Sequence, residues 1–350
     1  MPIVYVHGVA VRDDDPDLAR RAKPLGEVPW PTIEAHLREH VAPAVSDDPE
    51  GVPVLRVYWG DLGARFAWGG RSLVSRPGNP AGVPAAAVEG VARAQDAVAD
   101  LAEETTSAPG SGSPASELSA SSAGPSAGQA DPPASDRIGL RERGIRGLSR
   151  TVTALRRPFE DFVPVFIGDV LTYVATRGTA DAPGPIVQRV LDGLEVASFA
   201  AHSLGEPLVV LTHSMGGQIV YDVLTHFLPR MPELHDVRVD FWCAAASQVG
   251  FFEELGLFLE SDPDRGPHEG DPSGGLTPMP SEQFLGGWWN VWDHSDLLSF
   301  RAAGILDGIN DSAFFASGSL ATDHNKYLVQ PEFYRLFAER VRASLAARER

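Results

Sequence analysis

Short apolar runs alternate along this chain with longer segments in which apolar residues recur at helical spacing. The short runs are rich in valine, isoleucine and aromatic residues, which favours buried strands. Strands are expected at residues 2–6, 52–58, 208–211, 237–246, 288–292 and near 314–320. Helices are expected at residues 162–176, 186–203 and 333–345. Because strands that alternate with helices form parallel sheets, the pattern predicts the α/β class, with a mostly parallel sheet covered by helices on both faces.

A long segment that is poor in large apolar side chains interrupts this alternation. We treat residues 1–350 as a single domain that carries an insertion or cap region at 62–160. Within that region, residues 76–136 consist mostly of Ala, Gly, Pro and Ser and are expected to be largely disordered, because they bury too little surface to offset chain entropy. Residues 84–104 have the composition for one helix. A second segment, 250–286, is a lid or loop candidate because its Pro/Gly/acidic stretch is too long for a simple connection.

Residues 137–159 combine a helical apolar stripe with the one concentration of basic residues in the chain. The stripe consists of Ile138, Ile145, Leu148, Val152, Leu155 and Phe159. The basic residues are Arg137, Arg141, Arg143, Arg146, Arg150, Arg156 and Arg157. One interpretation is an interfacial helix that contacts an anionic membrane or an acidic partner. The other, which we favour because three glycines weaken the helix, is a cap whose stripe packs on the body of the protein.

The composition excludes some classes of function and partner. The formal net charge of −18 argues against nucleic acid as a partner, since phosphate binding needs a basic face. The single cysteine, Cys243, lies in an apolar run and is expected to be a buried structural thiol. We expect a cytoplasmic location, because no charged leader with a long apolar segment precedes the first strand and no apolar run is long enough to span a bilayer.

The segment most suggestive of chemistry follows the strand at 208–211. It is the sequence His213-Ser214-Met215-Gly216-Gly217, which runs into a second apolar stretch at 218–224. Strand, tight Ser-x-Gly turn and helix form a nucleophile elbow, in which the turn presents a serine hydroxyl above the end of a parallel sheet. The usual pattern is Gly-x-Ser-x-Gly, and here Thr212 stands at the first position. The alternative is an ordinary Ser/Gly turn in a βα unit.

A serine nucleophile needs a base and an acid that orients the base. Asp293 and Asp296 both follow the strand at 288–292, and we choose Asp296 because it lies deeper in the loop. Either carboxylate could instead cap a helix at 297–300. We assign the base to His324, which follows the expected last strand, with a solvated loop histidine as the alternative.

An oxyanion hole needs two N–H donors that point at one place. Met215, directly after the serine, is expected to supply one, and Val9, in the loop after the first strand, the other. His7 is expected to brace that loop. Ser203 lies in a second Ser-x-Gly sequence, but that sequence precedes a strand, so we interpret it as a helix C-terminus with a glycine stop.

With His7-Gly8, the elbow, Asp296 and His324 in this order, the chain resembles the α/β-hydrolase superfamily, and within it the lipase- and esterase-type members with His-Ser-Met-Gly-Gly at the elbow. The resemblance covers residues 2–62 and about 160–345. It implies Ser214 as nucleophile, His324 as base, Asp296 as acid, and Val9 and Met215 as oxyanion donors. Thr212 departs from the pattern, and the early first strand implies an N-terminally shortened fold without the leading antiparallel strands.

The function expected from these features is hydrolysis of a carboxylic ester, either a small molecule or a lipid, through an acyl-enzyme. No metal or organic cofactor is implied, because a Ser-His-Asp triad supplies its own nucleophile and base. An acyltransferase or thioesterase on the same triad is an alternative. A noncatalytic binding module that docks through its arginine-rich segment is another. The tryptophans near the triad, at positions 59, 288, 289 and 292, suggest an apolar acyl pocket or simply the core.

Overall fold

The computed structural model describes residues 2–15, 28–68, 162–262, 264–266, 275–315 and 323–348. These residues belong to one compact unit. Several sequence predictions lie outside them: the disorder at 76–136, the helix at 84–104, the arginine-rich segment at 137–159, and most of the candidate strand at 314–320.

Six strands form one sheet, and every strand pair in it is parallel. The six are β1 (Ile3–Val6), β2 (Val54–Val57), β5 (Val209–His213), β6 (Phe241–Ala245), β7 (Trp288–Trp292) and β8 (Asn310–Ala313). Their order across the sheet is β2-β1-β5-β6-β7-β8. A separate antiparallel hairpin joins β3 (Gly178–Thr179) to β4 (Ala182–Pro183). The predicted α/β class with a parallel sheet is confirmed.

Helices connect the strands. They are α1 (Trp30–His36, continued by a π-helical segment Leu37–Val41 and by Ala42–Val45), α2 (Phe162–Thr176), α3 (Pro185–Leu204), α4 (Gly216–Asp222, continued by a π-helical segment Val223–Phe227 and by Leu228–Arg230), α5 (Val249–Glu254), α6 (Asp323–Lys326) and α7 (Pro331–Arg348). No helix in this part of the chain is long and apolar enough to cross a membrane.

The two faces of the sheet bury alternate residues of each strand. In β1, Ile3 and Tyr5 belong to a core cluster that includes the buried faces of α1 and α7. Helix α3 packs against β1 and β2, and β1 is buried along its whole length. Because successive side chains of a strand point to opposite faces, apolar residues at every position of β1 require helices on both sides.

Three elements differ most from the sequence prediction. The last strand, expected near 314–320, is β8 at Asn310–Ala313, and a helix expected at 297–300 is a turn instead. Strand β8 carries the polar sequence Asn-Asp-Ser-Ala and lies at the edge of the sheet, so hydrophobic periodicity does not mark it. The strand predicted at 237–246 begins at Phe241, since Val239 forms only an isolated bridge with Leu285.

The strand order changes direction at β1, which has β2 on one side and β5 on the other. The chain segments that follow β1 and β5 therefore run in opposite directions from the carboxyl edge of the sheet. In open α/β sheets the crevice at such a switch point is where ligands bind. The loop that begins at His7 and the turn that carries Ser214 both start there.

Candidate active site

Ser214 follows β5 directly and adopts the left-handed backbone conformation, with φ of 53°. This conformation is strained for a residue other than glycine, and the surroundings hold it in place. The Ser214 N–H donates to the Ala245 carbonyl at 2.9 Å, and the Gly217 N–H donates to the Ser214 carbonyl at 2.9 Å. Helix α4 then begins at Gly216. The turn therefore joins a strand to a helix through a strained serine, which is the geometry expected for the elbow.

Glycines are required around Ser214 because backbone segments approach one another closely. A Cβ atom on Gly8 would lie 2.6 Å from Ser214 Cβ, and one on Gly216 would lie 2.4 Å from the Val6 carbonyl oxygen. Thr212, which replaces the first glycine of the usual pattern, is buried and accepts a hydrogen bond from Trp242 Nε1 at 3.0 Å. The departure at Thr212 is thus accommodated by a partner for its hydroxyl.

His324 and Asp296 form a buried pair. His324 Nδ1 lies 2.9 Å from Asp296 Oδ2 and 3.0 Å from Asp296 Oδ1. Asp296 Oδ1 also accepts from the Leu298 N–H at 3.0 Å. Burial alone would raise the pKa of the Asp296 carboxyl, but the facing His324 and these hydrogen bonds hold it below its usual value. The aspartate is therefore ionised at neutral pH and fixes the histidine ring through Nδ1.

The residue before the serine connects the elbow to His324. His213 Nε2 lies 2.7 Å from the His324 carbonyl oxygen, and the two ring centroids are 4.9 Å apart. A carbonyl only accepts, so His213 Nε2 carries the proton. Burial lowers the pKa of His213 to about 3, which keeps the ring neutral. This bond fastens the backbone of His324 beside the elbow.

The second nitrogen of His324 has no hydrogen-bond partner in the described part of the chain. His324 Nε2 is buried and makes no hydrogen bond to any described residue. The Ser214 hydroxyl oxygen accepts a long hydrogen bond, 3.4 Å, from Gln248 Nε2. An unpartnered buried imidazole nitrogen is able to accept a proton.

Asp293, the alternative acid, is also buried but stabilises its own loop. Its Oδ1 accepts from the Ser295 N–H at 2.9 Å, and its N–H donates to Ser299 Oγ at 3.1 Å. These bonds shape the turn from which Asp296 reaches His324.

The two expected oxyanion donors lie on either side of the switch point. Met215 occupies the residue before α4, and Val9 lies in the loop after β1. Neither backbone N–H donates to another described residue. Both groups are therefore unpaired within the described part of the chain, as donors to a substrate oxygen must be.

His7 braces the loop that carries Val9. Its Nε2 accepts from the Trp59 N–H at 2.9 Å, so its Nδ1 carries the proton and donates to the Gly8 carbonyl at 2.6 Å. Burial lowers the pKa of His7 to about 3. Both ring nitrogens have partners, and the bracing role predicted for His7 is confirmed.

Two polar residues at this edge were not found by sequence reasoning. Asp169, buried on α2, accepts from the N–H groups of Ala10 and Ala64, each at 2.8 Å, and forms an ion pair with buried Arg12. Gln248 donates to the carbonyls of Ala246 and Leu298 and accepts from Gln218.

Asp169 carries no sequence signal, because it is one acid within an apolar helix. Gln248 does carry one: it follows β6, the neighbour of the elbow strand.

The remaining candidates are structural. Ser203 is exposed near the end of α3, donates to the Phe199 carbonyl at 2.8 Å, and precedes the left-handed Gly205, as predicted for a helix C-terminus. Cys243 is buried, and burial raises its thiol pKa well above the usual value. Trp59, Trp288 and Trp289 are buried in the core, whereas Trp292 is half-buried.

One group of described residues has the donor atoms for a metal ion: His36, Glu39 and His40 on α1. This group lies outside the loops after β1, β5 and β7, which carry Val9, Ser214 and Asp296.

Comparison with family models, with curated proteins and with solved structures found no match to this chain. The class that the structure defines is an α/β protein with a parallel six-stranded sheet flanked by helices. Assignment to a hydrolase family rests on the residues described above and is a proposal.

Proposed function

We propose that this protein is a serine hydrolase of the α/β-hydrolase type that cleaves a carboxylic ester. The observation that carries the proposal is the meeting of three loops at the carboxyl edge of the sheet: a strained Ser214 at an elbow, and a buried His324–Asp296 pair at 2.9 Å that is fastened to the elbow through His213. A serine, an oriented imidazole and an ionised carboxylate are the parts of a triad.

In the proposed reaction, Ser214 Oγ attacks the ester carbonyl carbon while His324 Nε2 takes the hydroxyl proton. The N–H groups of Met215 and Val9 bind the oxyanion that forms. His324 then gives the proton to the departing alkoxide, which leaves an acyl-enzyme on Ser214. Water attacks the acyl group with the same histidine as base, releasing the carboxylic acid and the free serine. Asp296 remains ionised and stabilises the imidazolium.

The same acyl-enzyme can also form from a thioester or pass its acyl group to an alcohol, so thioesterase and acyltransferase activities are variants of this proposal. Ester hydrolysis is the first activity to assay, since water is a sufficient acceptor. We also propose a cytoplasmic location. Its support is that a chain with a single, buried cysteine forms no intramolecular disulfide, which suits a reducing compartment.

A fluorophosphonate probe, which reacts with activated serines, tests the proposal. The purified protein should be labelled at Ser214, and Ser214→Ala should abolish both labelling and hydrolysis of a small soluble ester. Ser203→Ala is the matched control, because that serine lies in a second Ser-x-Gly sequence and is exposed. It should keep full labelling.

Labelling that persists in Ser214→Ala would place the nucleophile elsewhere. A folded protein that neither reacts with the probe nor cleaves esters would instead be a noncatalytic binding module on this fold.

A further inference from the structure

We propose that His36, Glu39 and His40 form a binding site for a divalent metal ion with the ligand preferences of zinc. The three residues lie on one face of α1, at spacings i, i+3 and i+4. The site is separate from the proposed triad and takes no part in its chemistry.

The three side chains already lie close together. Their ligand atoms are all within 4.8 Å of one another, and His40 Nε2 is 3.8 Å from Glu39 Oε1. The imidazole rings of His36 and His40 are stacked, with centroids 5.8 Å apart. A tetrahedral zinc ion with bonds of about 2.05 Å needs ligand atoms about 3.3 Å apart. Rotation of the Glu39 and His40 side chains toward the His36 ring would close that difference.

Buried nitrogens in the cluster have no hydrogen-bond partner. His36 Nδ1 and His40 Nε2 are both inaccessible to solvent, and neither bonds to a described residue. The His40 side chain is only 9% exposed. An unpartnered buried polar atom costs free energy and calls for an explanation. A bound cation explains the unpartnered atoms, because it takes the lone pair of a neutral imidazole nitrogen.

The surroundings leave the cluster free to bind a cation. Arg38, the nearest basic residue in the sequence, pairs with Glu34 at 2.8 Å and donates to the Val52 carbonyl at 3.1 Å. Glu39 is mostly exposed and keeps its carboxylate available. The His36 ring also stacks on Tyr334 of α7, with centroids 4.9 Å apart, which holds that ring in place.

The donor set selects the class of metal. Two imidazoles and one carboxylate suit zinc and neighbouring transition metals, whereas calcium and magnesium prefer oxygen ligands throughout. The helix is π-helical over Leu37–Val41, a local widening that is frequent at functional sites. Since His36 contacts α7, a bound ion would fasten the ring that joins the two helices and stabilise that face of the sheet.

Titration of the full-length, tag-free and chelator-treated protein with zinc, followed by calorimetry, tests the proposal. One equivalent should bind, and His40→Gln should weaken binding more than about 100-fold, since loss of an outer partner alone costs 10–100-fold. His226→Gln is the matched control: His226 also lies on a helix beside a carboxylate, 2.6 Å from Glu260, but belongs to no three-ligand group among the described residues. It should bind zinc as the unchanged protein does.

A second variant distinguishes loss of zinc binding from loss of folding. Glu39 is exposed, so Glu39→Gln should fold normally and still weaken zinc binding about tenfold or more. Zinc should also raise the Tm of the unchanged protein more than that of either cluster variant. Absence of stoichiometric binding, or equal affinity in His40→Gln and the unchanged protein, would overturn the proposal. Fluorophosphonate labelling of Ser214 should be the same with and without zinc, so this outcome is independent of the proposed hydrolase function.

Discussion

At the scale of single residues, two carboxylates in one loop have different surroundings although they are only three positions apart. Asp296 faces His324, whereas Asp293 accepts a backbone N–H within its own turn. Asp296 is placed to hold the proposed catalytic base in one tautomer. Asp293 is placed to hold the loop in shape.

We expect Asp296→Asn to lower kcat for ester hydrolysis by about four orders of magnitude, because an amide neither fixes the required tautomer of His324 nor stabilises its cation. The geometry of the site should survive, since Asn is isosteric with Asp. Steady-state kinetics on a soluble ester provide the measurement.

Asp293→Asn is the control, and it should reduce kcat far less, because an amide oxygen can still accept from the Ser295 N–H. The reverse ranking of the two variants would exchange their roles.

At the scale of elements, one buried carboxylate connects α2 to the loop after β1. Asp169 accepts from the N–H of Ala10, one residue beyond Val9, and pairs with buried Arg12. Ala10 has a positive φ of 63°, so this loop is strained and is held by its contacts. Helix α2 thereby positions a proposed oxyanion donor.

Removal of the carboxylate should therefore affect both stability and reactivity. Asp169→Ala leaves the Arg12 guanidinium buried without its ion-pair partner and should lower the free energy of unfolding by about 3–5 kcal/mol. It should also slow fluorophosphonate labelling, because the loop that carries Val9 is released. Urea unfolding and labelling rates measure the two effects.

Asp192→Ala is a suitable comparison, since Asp192 is exposed on α3 and accepts only from Gln188 among the contacts seen. It should change neither quantity measurably. Equal losses in the two variants would contradict a special role for Asp169.

Sequence patterning located some elements and missed others for physical reasons. Strand β7 and helix α2 have the predicted bounds, because a wholly apolar run and a long apolar helix give strong signals. Strand β8 is short, polar and at the edge of the sheet, and β3 and β4 have two residues each. Hydrophobic periodicity therefore does not mark these strands. Ser214, Asp296 and His324 could be selected by motif and chain order. Asp169 could not, because its role arises from contacts between distant segments, and only its position after β6 marks Gln248.

At the scale of the whole molecule, two neutral histidines are buried at the carboxyl edge of the sheet. Burial lowers the pKa of both His7 and His213 to about 3, against 6.5 for an unperturbed ring. Below about pH 6.5 the unfolded chain takes up protons that the folded chain excludes. Their contribution to stability is therefore complete above that pH and is lost as the pH falls toward 3.

We expect the urea midpoint to fall between pH 7 and pH 4, and His213→Gln to reduce that fall. Glutamine still offers an N–H to the His324 carbonyl but has no ring to protonate. Unfolding curves across this pH range give the measurement. His235→Gln, at an exposed histidine, should follow the unchanged protein. If His213→Gln loses stability with acid as steeply as the unchanged protein, the contribution assigned to His213 is wrong.

The hydrogen bond from His213 to the His324 carbonyl also has a consequence in time. It joins residues 111 positions apart. Contacts of such sequence separation are slow to form. During refolding, reactivity of Ser214 should therefore return only after most of the helical signal. Recovery of Ser214 reactivity then marks the last stage of folding.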